Sequence, residues 1–177
     1  LRNLTTWDSV LSNQPEIAVT FVENHDLRDP GRSIANDKLL AYSYILKHEG
    51  SPCVFWKDYV TAGLADPDTP NGLAALVRAH RDFAGGSMQV LFVDDDLYIM
   101  RRVGYGDQPG LIYVLNNHGD RWNGAWVSTR WSNTALRPVA WWGRDDRHAP
   151  EPQRCAVDGR GQFWAPPRGY VVYAPDA

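Results

Sequence analysis

The hydrophobic pattern of the chain changes character near residue 87. Before that point, short apolar runs alternate with segments of mixed three- and four-residue spacing. Residues 17–22 (Ile-Ala-Val-Thr-Phe-Val) are nearly continuous apolar, which predicts a strand buried on both faces of a parallel sheet. Residues 37–48 set Leu39, Leu40, Tyr42, Ser43, Ile45 and Leu46 on a helical repeat, with Asn36 or Asp37 as the cap and Gly50-Ser51-Pro52 as the stop. Residues 53–56 (Cys-Val-Phe-Trp) predict a second buried strand. Residues 71–83 predict a second helix with Leu73, Leu76, Val77 and His80 on one side, closed by Gly85-Gly86.

Strand, helix, strand, helix is the unit of a parallel sheet. Two strands that are apolar on both faces need neighbours, and a closed eight-stranded barrel takes about 250 residues. Residues 1–86 are therefore expected to be the end of something larger. After Gly86 the helical period disappears. Strands are predicted at residues 89–93, 97–102, 110–115, 125–131, 139–142, 162–165 and 170–174. Between them Asp94-Asp95-Asp96, residues 116–120 and Pro166-Pro167-Arg168-Gly169 read as turns. This spacing predicts an antiparallel sandwich or open barrel.

Composition narrows the function classes. The chain has 177 residues, 44% hydrophobic and 22% charged, the balance of a folded domain. Its net charge of -3 offers no phosphate-neutralising surface, so nucleic acid is not an expected partner. No apolar run is long enough to span a membrane, and residues 1–7 contain no apolar core of a signal peptide. The missing initiator Met fits a processed chain or a piece of a longer one. Cys53 and Cys155 have no zinc spacing and leave the redox compartment open. Aromatic content is high, with 8 Trp, 8 Tyr and 5 Phe. Such rings fill cores or offer flat faces to ligands. Trp122, Trp126, Trp131, Trp141, Trp142 and Trp164 all lie after residue 87, and for most of them core packing is the expected role. Adjacent Trp141 and Trp142 point to opposite faces of a strand, so one is outward unless covered.

The densest candidate chemistry is Glu23-Asn24-His25-Asp26, directly after the apolar strand and before Leu27-Arg28-Asp29-Pro30-Gly31. The C-terminal ends of parallel strands are where α/β barrels carry active sites. A second reading fits the same residues: Asn24 and Asp26 turn the chain before Pro30-Gly31, with His25 in solvent. Asp94-Asp95-Asp96 could attract calcium but matches a solvated turn better. Gly104-x-Gly106 lacks dinucleotide-loop spacing, and Asn3-Leu4-Thr5 satisfies a glycosylation sequon.

Phe21-Val22-Glu23-Asn24-His25-Asp26 resembles the fourth short signature of the alpha-amylase family of glycoside hydrolases, which follows the seventh strand of that family's barrel. Residues 40–46, followed by Gly50-Ser51-Pro52-Cys53-Val54-Phe55-Trp56, are similar to its seventh helix and eighth strand. The likeness covers residues 16–83 and implies an α/β plus all-β chain. Residues 1–86 would be the C-terminal portion of a (β/α)8 TIM barrel, strands seven and eight with their helices. Residues 87–177 would be an antiparallel β-sandwich domain.

The resemblance further implies retaining cleavage of internal alpha-1,4-glucosidic bonds in starch-like polysaccharides. Asp26 takes the role of transition-state stabiliser, His25 binds the sugar, and Asn24 supports them. The nucleophile and acid/base carboxylates belong to strands four and five of that family, upstream of these residues. The chain alone is therefore expected to be inactive and to need the N-terminal remainder of the barrel. Glu23 matches no catalytic position and is expected to be structural. Lys57-Asp58 departs from the Gly-Asp common after the eighth strand, and a solvated Lys57 is expected. Calcium enters as a candidate cofactor without ligands identified in this chain, and a secreted setting is implied. Two alternatives stand beside this reading: a non-catalytic polysaccharide-binding β module, and a glucanotransferase of the same family.

Overall fold

The computed structural model describes residues 1–5, 8–27, 34, 36–66, 71–144 and 148–176. Residues 28–31 of the loop after Leu27 lie outside the described residues.

The first part begins with short helical turns, among them α1 (Val10–Asn13). Strand β1 (Val19–Phe21) follows, then α2 (Lys38–Ile45), β2 (Ser51–Cys53), α3 (Trp56–Val60) and α4 (Leu73–Phe83). β1 and β2 pair in parallel, with Val19 opposite Ser51 and Phe21 opposite Cys53. The second part holds β3 (Met88–Val93), β4 (Leu97–Arg102), β5 (Leu111–Asn116), β6 (Asn123–Ser128), β7 (Ala135–Gly143), β8 (Gln153–Arg154), β9 (Arg160–Ala165) and β10 (Gly169–Pro175). Six of these strands form one antiparallel sheet in the order β3-β4-β5-β10-β7-β8, while β6 and β9 form a separate two-stranded ladder.

The large sheet is covered on both faces, and by different things. Alternate residues of a strand point to opposite sides. In β10, Tyr170, Val172 and Ala174 join a core with Tyr42, Leu73, Leu76 and Ala79 of α2 and α4. Val171 and Tyr173 join a second core with Val127 of β6 and Phe163 of β9. Burial on both sides explains why β4, β5 and β10 are almost unbroken apolar runs although the sheet is antiparallel.

Polar bonds tie the helices to the sheet. Ser43 and Tyr113 hydroxyls meet at 2.7 Å, and His48 Nε2 lies 2.7 Å from the Tyr98 hydroxyl. Tyr170 donates to the Asn71 carbonyl. The Arg102 guanidinium, carried by β4, donates to the carbonyls of His48, after α2, and Gly86, after α4, and so ties the ends of both helices to the sheet. Lys47 is fully buried, and its ammonium donates to the Leu76 carbonyl. Burial holds its pKa well below the ordinary lysine range, and the neighbouring Arg102 charge pushes the same way.

Several sequence expectations shift. The second strand ends at Cys53, because Phe55 caps α3 and Trp56 already belongs to that helix. The buried side of α4 is Leu73, Ala75, Leu76, Ala79 and Phe83, whereas Val77 is exposed and His80 half-buried, its Nδ1 2.7 Å from the Leu46 carbonyl. Asp37 stands at the N-cap of α2 in a left-handed conformation without capping it. Its carboxylate instead receives Arg144 and Arg168. β6 stops at Ser128, since the Thr129 hydroxyl donates to the Gly159 carbonyl and accepts from the Trp131 amide, turning the chain. Trp141 packs into the ladder-side core and Trp142 into the helix-side core, so both faces at this pair are covered. The short strand β8 carries no apolar signal in Gln153–Arg154.

The strand predicted over residues 17–22 is the largest departure. It was expected to be buried on both faces, yet Ile17, Val19 and Phe21 are 65%, 68% and 48% exposed. Their side of the β1-β2 pair has no layer against it among the described residues.

Candidate functional site

Parallel pairing brings the C-terminal ends of β1 and β2 to one edge. At that edge the chain leaves β1 through Val22 and Glu23 and enters a single helical turn at His25–Leu27. Asn24 shapes the turn: its side-chain oxygen accepts from the amides of Asp26 (2.9 Å) and Leu27 (3.2 Å). This is the local turn that short amide side chains favour. It presents His25 and Asp26 side by side, with Nε2 and Oδ1 3.3 Å apart and the side chains 79% and 76% exposed.

Beneath the exposed pair lies a buried ionic cluster. Lys38 sits between Glu23 and Asp58 and makes an ion pair with each. Tyr42 donates to the other oxygen of Asp58 at 2.7 Å and accepts from the Phe55 amide. Burial lowers the pKa of Lys38, but the hydrogen bonds and charges of Asp58 and Glu23 outweigh it and the net shift is upward. Burial, reinforced by the bond to Asp58, raises the Tyr42 hydroxyl far above its ordinary value. The cluster locks Glu23 at the end of β1, Lys38 and Tyr42 on α2, and Asp58 on α3 into one platform. A buried pair of this kind holds geometry more than it adds stability. Glu23 is held in place by its pair with Lys38, and Lys57 is exposed to solvent.

The pattern of residues pointed to Asn24, His25 and Asp26, and the structure gathers them in one turn. It gave no warning of the Lys38–Asp58 bond, which joins positions 20 residues apart across two elements. Trp56, 72% exposed at the same edge, stacks on Tyr59 with ring centres 6.2 Å apart.

Among the described residues no group of three or more His, Cys, Asp or Glu is placed to hold a metal ion. Asp94 accepts the amides of Asp96 and Leu97 within a hairpin turn, and Asp95 pairs with Arg2. No helix among the described residues is long and apolar enough to cross a membrane.

No protein-family model matches the sequence. Individual relatives do. An "Alpha-amylase" of Geobacillus stearothermophilus is 35% identical over 117 residues, covering 62% of this chain and 21% of the relative. An "Alpha-amylase" of Bacillus licheniformis is 35% identical over 106 residues, covering 54% and 20%. The "Alpha-amylase type B isozyme" of Hordeum vulgare is 29% identical over 94 residues, covering 51% of this chain and 60% of that protein. The chain thus spans about a fifth of the length of the two bacterial relatives. Over half or more of its length, the chain is thus similar to three proteins named as alpha-amylases.

Proposed function

We propose that this chain is the C-terminal part of a retaining alpha-glucan hydrolase. In this reading residues 1–86 complete a (β/α)8 barrel and residues 87–177 form the domain that follows it. The observation that carries it is the β1-β2 pair: parallel, delivering His25 and Asp26 at its C-terminal edge, and bare on the side where Ile17, Val19 and Phe21 stand. A barrel strand is buried on both faces, so bare apolar residues there call for further strands.

Retaining cleavage uses a nucleophilic carboxylate and an acid/base carboxyl about 5 Å apart, and passes through a flattened, positively charged sugar ring. Both groups come from outside these residues. Asp26 contributes a third carboxylate, gripping ring hydroxyls more tightly as the ring flattens, which lowers the barrier instead of merely aiding binding. His25 donates to a hydroxyl of the same sugar, and Asn24 fixes the turn that holds them. A starch-like polymer is too large to enter a cell, which fits a secreted enzyme.

Replacing Asp26 with Asn in the complete enzyme tests the assignment. Turnover on soluble starch is expected to fall more than tenfold, a barrier rise above about 1.4 kcal/mol. A smaller loss removes Asp26 from the reaction. Product analysis with a labelled acceptor sugar separates hydrolysis from glucanosyl transfer.

A further inference from the structure

The outer face of the β6-β9 ladder carries two indoles among polar side chains. Inward residues of the two strands, Val127, Phe163 and Ala165, fill the ladder-side core. The outward set is Gly124, Trp126 and Ser128 on β6, and Arg160, Gln162 and Trp164 on β9. Two indoles alternate with hydrogen-bonding groups, and no aliphatic side chain interrupts them.

The rings are arranged for contact. Gly124 lies opposite Trp164, and a Cβ at Gly124 would come within 2.6 Å of that ring, so the missing side chain is what lets the indole settle on the strand. Trp126 is opposite Gln162 and therefore diagonal to Trp164, a relation that places residues about 7–8 Å apart. The Arg160 guanidinium lies 5.9 Å from the centre of the Trp126 ring, yet Trp126 stays 57% exposed: it is tethered without being covered. A hollow of about 220 Å³ opens beside it, lined by Trp126, Ala156, Asp158 and Arg160.

The exposure of this face owes nothing to the bare barrel edge. The ladder packs on the side of the six-stranded sheet opposite α2 and α4. Strands added beside β1 and β2 would lie on the far side of that sheet.

We infer that the outer face of the β6-β9 ladder is a second, non-catalytic binding surface for a neutral alpha-glucan chain, with Trp126 and Trp164 stacking on successive sugar faces and Gln162, Arg160 and Asp158 bonding their hydroxyls. The choice of alpha-glucan rests on the reading proposed above. Sugars have apolar faces ringed by hydroxyls, and flat aromatic platforms with polar neighbours complement both. A protein partner fits poorly: two strands of six residues offer roughly 200 Å², against about 800 Å² per partner in a stable interface. A nucleic acid fits worse, since Asp158 offsets the charge of Arg160.

The test is electrophoresis of the complete protein, made inactive by Asp26→Asn, through gels with and without amylopectin. Retardation by amylopectin is expected. Trp126→Ala and Gln162→Ala should weaken it at least tenfold, and Trp126→Phe, which keeps a flat ring, should restore most of it. Unchanged melting of each variant shows that folding is intact. Retardation that survives Trp126→Ala overturns the inference, as does retardation by cellulose or xylan derivatives but not by amylopectin. The two readings fail separately. Starch hydrolysis by the wild type with Trp126→Ala retardation unchanged defeats only the surface, whereas Trp126-dependent binding in a protein without hydrolytic activity defeats only the enzyme.

Discussion

Residues before and after Gly86 solve the same problem, hiding apolar surface, with opposite success. After Gly86 the central strands of the large sheet, β4, β5 and β10, find a cover on both faces, helices on one and the β6-β9 ladder on the other. Before it, α2 and α4 hide their apolar sides against that sheet, but the β1-β2 pair leaves Ile17, Val19 and Phe21 in solvent. The antiparallel part combines the sequential pairs β3-β4 and β4-β5 with long-range pairing of β10 with β5 and β7 and of β6 with β9. Parallel strands are joined by a crossover, usually a helix, and a face left apolar needs a further layer against it. The region that carries the candidate chemistry is thus the one that leaves apolar strand residues bare.

The largest expected break in the closed part is Phe163→Ala. Phe163 is fully buried and meets Tyr173 edge-on at 5.3 Å. Its truncation should cost about 3–5 kcal/mol, seen as a lower denaturation midpoint of the complete protein. A cost below about 1 kcal/mol would show that the ladder is not an integral layer.

Acid should strike the junction between the two parts next. Burial, with some help from Arg102, pushes His48 down to about 4, against the Tyr44 carbonyl bond that favours its charged form. A group with a lowered pKa takes up its proton more readily when unfolded. Stability is therefore whole above about pH 6.5 and falls as pH drops toward 4, by about 3 kcal/mol. Melting measured between pH 7 and 4 should show this slope, and His48→Gln should flatten it.

Lys47→Met makes a smaller change of the opposite sign. The buried ammonium keeps its bond to the Leu76 carbonyl only at the cost of desolvation beside Arg102. An apolar side chain of similar length should raise stability by about 1–3 kcal/mol in the same denaturation experiment. A loss would mean that the bond to Leu76 organises the junction.

The smallest effect on stability, but a direct probe of the contrast, is Val19→Thr. As a surface change it should move the melting point little. The isolated 177-residue chain is expected to bind a hydrophobic dye and to associate through its bare apolar side. Val19→Thr with Phe21→Thr should reduce both, and a chain that is already monomeric and dye-silent would contradict the open-edge reading.

Local order along the chain was enough to determine α2, α4, most of the antiparallel strands and the turn at Asn24, but not α3 or β8. Apolar period and turn residues act between near neighbours, so they are written in adjacent positions. Tertiary structure decided what no neighbour records. It sent the Asp37 carboxylate to Arg144 and Arg168, set Lys38 between Glu23 and Asp58, and turned Trp141 and Trp142 into two different cores. It also left Trp126 in the open, since whether an indole is covered depends on the layer packed above it and not on the residues beside it in the chain.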